Sequence, residues 1–75
     1  MSKRYHMLFT RDDRNGWTPQ FGDYDRNTVV VEVGDSYRDF PKDDIVIIPL
    51  PNARQSHCDN AVRVLNKYGK HVRFV

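Results

Sequence analysis

Apolar and polar side chains alternate between Tyr5 and Arg11. Tyr5, Met7 and Phe9 fall on one side; His6, Leu8 and Thr10 fall on the other. A period of two is the signature of a strand with one strongly apolar face. Asp12-Asp13-Arg14-Asn15-Gly16 interrupts it, and Asn-Gly is a strong hairpin turn signal. Trp17 to Phe21 resumes the alternation, which predicts Trp17, Pro19 and Phe21 on a shared face. Pro19 lacks an N–H, so this second strand sits at a sheet edge or ends early. Residues 4–22 therefore read as a β-hairpin, and Gly22 to Arg26 as a corner.

Thr28-Val29-Val30-Val31-Glu32-Val33 is β-branched and has strand character. Against that, Val30, Val33 and Tyr37 recur at helical spacing, and Asp25 or Asn27 can cap a helix. A helix over residues 27–39 is the favoured reading, with Gly34 weakening either assignment. Pro41 to Asp44 is a connector. Ile45-Val46-Ile47-Ile48 is a continuous apolar run ending at Pro49, which predicts a central strand covered on both faces.

The clearest helix opens at Asn52, with Gln55 in the capping-box position. Cys58, Ala61, Val62 and Leu65 form its apolar stripe, and Asp59 and Arg63 stand in the i, i+4 relation. Gly69 is the stop, with Lys67 and Lys70 placed to complement the negative end of the helix dipole. His71 to Val75 alternates again and allows a short last strand. The fold class expected is α+β: a hairpin followed by α-β-α, a small sheet covered by two helices.

The segment Gly16-Trp17-Thr18-Pro19-Gln20-Phe21-Gly22-Asp23-Tyr24-Asp25-Arg26 resembles small, uncharacterised accessory proteins of tailed bacteriophages. Further likeness lies in Val30, Glu32 and Tyr37, in Asp44 to Ile48, and in Gln55, Asp59, Ala61-Val62 and Leu65-Asn66. The resemblance implies a helix over the valine-rich stretch and a phage origin. It implies no activity, ligand or catalytic residue. Val31 and Gly34 depart from it, since stronger helix formers are expected there.

Composition narrows the chemistry. Seventy-five residues make one domain at most, and such a chain hides only about 60% of the surface its unfolded form exposes. Twelve Lys and Arg against ten Asp and Glu leave a net +2, too balanced to mark a nucleic-acid binder by charge alone. Cys58 is the single cysteine, so no disulfide can form within the chain. No apolar run approaches the ~20 residues that span a bilayer, and the first residues lack a signal-peptide core. A cytoplasmic site of action in a host cell is expected.

No constellation specifies catalysis, a cofactor or a metal. Asp23 and Asp25 form an Asp-x-Asp pair, but a hard cation takes six or more oxygens, and capping explains the pair better. His57 and Cys58 are neighbours that point about 100° apart on a helix, and zinc needs three or four ligands. Trp17, Phe21 and Tyr24, with Tyr5 and Phe9, could stack nucleobases, although a chain this small needs them for its core. No Gly-rich phosphate loop or nucleophile elbow occurs.

An interaction module is the expected function, binding a host or phage protein through its surface. The candidate surface is the turn Asp12, Asp13 and Arg14 with the corner Asp23, Tyr24, Asp25 and Arg26, because loops carry function more freely than cores. The alternative is a small nucleic-acid binder that contacts phosphates through Arg and Lys. A homodimer is a further expectation, formed through the hairpin edge or the Val29–Val33 segment.

Overall fold

A computed structural model describes residues 4–70. The elements are β1 (Tyr5–Asp12), β2 (Gly16–Asp23), α1 (Arg26–Ser36), a 3-10 turn (Lys42–Asp44), β3 (Ile45–Leu50) and α2 (Gln55–Tyr68). This is the small α+β domain expected. The three described strands form an antiparallel sheet in the order β2-β1-β3. The alternating segment 71–75 lies outside the described residues.

β1 is central and pairs on both sides, with Leu8 opposite Phe21 in β2 and Ile47 in β3. The expectation that Ile45–Ile48 is the central strand is therefore corrected: among the described residues β3 is an edge. The apolar run remains explicable. The α2 side of β3 buries Ile48 and Leu50, while Ile45 and Ile47 on the other side are half-buried. Pro49, without an N–H, suits an edge.

One face of the sheet carries Phe9, Trp17, Ile48 and Leu50, and α2 covers it with Cys58, Ala61 and Leu65. Met7, Val46 and Val62 close the rim of this core. The opposite face carries Leu8 and Thr10, both buried, and α1 lies against β1 and β2 with Val29 fully buried. Two helices thus sandwich the sheet, one on each side.

The register along β2 is broken. Leu8 pairs with Phe21 but Phe9 pairs with Pro19, so Gln20 is an extra residue, a β-bulge. Residues directly opposite share a face. Trp17 and Pro19 therefore face α2, whereas Phe21 shares the α1 side with Leu8. The expected common face for Trp17, Pro19 and Phe21 is corrected by this inserted residue.

The valine-rich stretch is a helix, as favoured, but it spans Arg26–Ser36 and stops at the Tyr37 cap, short of the expected residue 39. Asp25 caps it, its carboxylate accepting from the Asn27 N–H at 2.9 Å. Ser36 donates to Glu32 at 2.8 Å one turn back. The inward face is Val29 with Val33 and Tyr37, not the Val30, Val33, Tyr37 series; Val30 is 42% exposed. The spacing i, i+4, i+8 of the observed series fits a helical stripe equally well.

α2 starts later than Asn52. The Asn52 side chain accepts from the Arg54 N–H at 2.9 Å, which makes a turn before the helix, and Arg54 occupies the cap without a side-chain bond. Gln55 donates forward to Asp59 at 2.9 Å rather than back to a capping residue. Arg63 consequently pairs with Asn60 at 2.7 Å and not with Asp59. The stripe itself is as expected: Cys58, Ala61 and Leu65 are buried. Gly69 ends the helix with φ +86°, its N–H donating to the Leu65 carbonyl at 2.8 Å.

Candidate functional site

The predicted interaction residues fall into two groups at opposite ends of the sheet. Asp12 closes the hairpin opposite Gly16, whereas Asp23 stands opposite His6. His6 to Asp12 is six steps of strand, about 20 Å at ~3.3 Å per residue. The turn and the corner are therefore separate surfaces.

The turn end is built from paired charges. Asp12 accepts from the Arg14 and Asn15 N–H groups at 2.8 and 2.7 Å. These bonds favour the ionised form and hold the Asp12 carboxyl below its ordinary range. Arg11 grips the Asp44 carboxylate through Nε at 2.9 Å and Nη2 at 2.6 Å. Its guanidinium also lies 5.6 Å from the centre of the Trp17 ring. Lys70 donates to the Lys42 carbonyl at 2.9 Å and reaches Asp43 at 3.4 Å. Arg11, Trp17, Asp43, Gly69 and Lys70 line a shallow cleft here. Its two cations are already engaged by carboxylates, so the turn end works as a clasp between β1, the 3-10 turn and the end of α2. Asp13 and Arg14 are exposed at its tip.

The corner end is different. Asp23 accepts from the Asp25 N–H at 2.7 Å, and Asp25 caps α1. The Asp-x-Asp pair is thus spent on building the turn into the helix. Tyr24, between them, is 48% exposed and rests edge-on against Tyr5, with ring centres 4.9 Å apart at 73°. Arg26 is exposed at the first helical position.

Sequence reasoning missed the continuation of this corner along α1. Among the described residues five large apolar side chains stand exposed: Tyr24, Val30, Val31, Phe40 and Tyr68. Four of them lie within residues 24–40, on α1 and its flanks. Val31 is 60% exposed, and Gly34, one turn on, has no heavy atom near the place a Cβ would occupy. Exposed Arg26, Asp35 and Arg38 flank them. Valine, threonine, asparagine and glycine are poor helix formers. The departure of Val31 and Gly34 from good helix formers was the available signal.

Trp17 is 3% exposed in the α2 core, and the bulge turns Phe21 away from it. They do not form a shared aromatic platform. Cys58 is buried, and desolvation first, then the Asp59 charge, pushes its thiol pKa up. No group of three or more His, Cys, Asp or Glu side chains able to hold a metal occurs among the described residues. No described helix is long and apolar enough to cross a membrane. Comparison with known proteins finds no family model, curated protein or solved structure that matches the chain.

Proposed function

We propose that the protein is a small binding module that engages another protein through the corner Asp23–Arg26 and the outward side of α1. A role as a phage accessory protein directed at a host or phage partner is part of this reading and rests on the sequence resemblance. The observation that carries the reading is the run of exposed apolar side chains along one stretch of chain: Tyr24 before α1, Val30 and Val31 on it, and Phe40 after it. An isolated exposed valine is unremarkable, but exposed apolar residues on a helix and its flanks, with charged neighbours, have the composition of a protein interface. Tyr24 supplies an amphipathic ring of the kind that anchors such contacts.

The test is affinity capture from host lysate with four baits: wild type, Val31→Asp, Tyr24→Ala and Arg14→Ala. The reading expects a protein retained by wild type and by Arg14→Ala, and released by Val31→Asp and Tyr24→Ala. Equal retention by all four baits, or no enriched protein, defeats it. A parallel salt titration against DNA and RNA should give no binding. Binding that weakens steeply with salt would favour the phosphate-contacting alternative.

A further inference from the structure

We infer that the outer edge of the hairpin is closed to strand addition, and that Asn66 of α2 is the guard that closes it. In an antiparallel ladder, successive residues of a strand direct their backbone groups alternately toward the partner and away from it. Trp17 points away from β1: its N–H donates to the Asn66 side-chain oxygen at 2.8 Å. The next outward position is Pro19, which has no N–H at all. The bulge at Gln20 then breaks the spacing a docking strand would need. Up to the kink, an incoming strand therefore meets one occupied donor and one missing donor, and only Gly22 faces outward beyond it.

The Asn66 contact is built in from both sides. Gly16 has φ +68°, a conformation that disfavours side chains, and a Cβ there would lie 2.5 Å from the Asn66 oxygen. Glycine at this turn thus serves the backbone and the approach of Asn66 together. The β3 edge shares part of the device: the Ile45 N–H donates to the Lys42 carbonyl and Pro49 lacks a donor, with Ile47 between them. Edge strands left open are templates for pairing with another chain. The inference therefore argues against the Trp17–Gln20 stretch of this edge as the seam of a homodimer, whether or not α1 binds a partner.

The test compares the full chain as wild type, Asn66→Asp, Asn66→Ala and Asn66→Ala/Pro19→Thr. Amide hydrogen exchange at Trp17 should stay slow in Asn66→Asp, which keeps an acceptor oxygen. It should rise roughly tenfold in Asn66→Ala, the scale of one lost hydrogen bond. Sedimentation should find wild type without pairing at this edge, and concentration-dependent association in the double variant that the single variants show less strongly. Unchanged Trp17 protection in Asn66→Ala overturns the inference. So does a folded double variant that associates no more than wild type. Should the double variant fail to fold, the exchange contrast between Asn66→Asp and Asn66→Ala decides.

Discussion

Gly34→Ala should make the protein more stable, and the structure says by how much. Gly34 is inside α1, two residues before its end at Ser36. Its φ is not positive, so alanine adopts the same backbone without strain. Beyond its chain neighbours and the helix backbone, no heavy atom lies within 4 Å of a Cβ built there, so the added methyl meets open space. The change then removes backbone freedom from the unfolded chain and restores a good helix former, for a gain of about 0.5–1 kcal/mol. In a domain of this size, 1 kcal/mol corresponds to roughly 4–8 °C in Tm. Urea denaturation followed by far-UV circular dichroism measures it, with an unchanged m-value as the sign that the surface exposed on unfolding is the same. Gly69→Ala is the paired control. It too has open space around the Cβ position, but its φ is +86° and ψ 174°. That region is essentially reserved to glycine, and alanine there should cost about 1–3 kcal/mol. Two glycines with equally empty surroundings are thus predicted to respond with opposite signs. If Gly34→Ala destabilises, or both substitutions move stability the same way, the helical environment described for α1 is wrong.

Leu65→Ala empties the α2 core at a residue 1% exposed and should remove about 2–5 kcal/mol, comparable to the whole stability of a domain this small, so a chemical melt should begin near zero denaturant. The Asp12 carboxyl is held low by the Asn15 and Arg14 N–H groups, so its contribution is present above the unfolded pKa of 3.8 and fades as pH falls through the lower folded value; an NMR titration of its side-chain carbonyl should have its midpoint below 3.8, and Asp12→Asn should flatten stability in that acid window. Cys58 is buried and its thiolate disfavoured, so reaction with a thiol reagent at neutral pH should be slow and rise with the unfolded fraction; immediate stoichiometric labelling of native protein would contradict its placement.

Local chemistry made most of the elements legible. The Asn15-Gly16 turn, the Pro19 edge, the apolar stripe of α2 and the Gly69 stop all rest on interactions within a few residues, and each stands as read. What failed depended on distant parts of the chain. The isoleucine run marked a strand, yet strand order is decided by which strand has partners on both sides, and the alternating β1 proved to be that strand. The bulge at Gln20 leaves no compositional trace, and it alone moves Phe21 to the other face. Asn52 has the residue type of a helix cap but forms the preceding turn, because Gln55 finds Asp59 instead. The distance between the two candidate contact surfaces was hidden for a related reason. A turn and a corner that flank one strand are close in sequence and a whole strand apart in space. The exposed valines of α1 were visible as weak helix formers, but only the placement of Val29 revealed which of them look outward.

The molecule carries one tryptophan, and it sits on the α2 side of the sheet. Its fluorescence therefore watches half of the sandwich. Detachment of α1, whose sole fully buried anchor is Val29, would pass almost unseen by emission while circular dichroism registered lost helix. Melting curves from the two signals that fail to superimpose would mean that the protein can shed one layer while the other holds, and that a single transition temperature does not describe it.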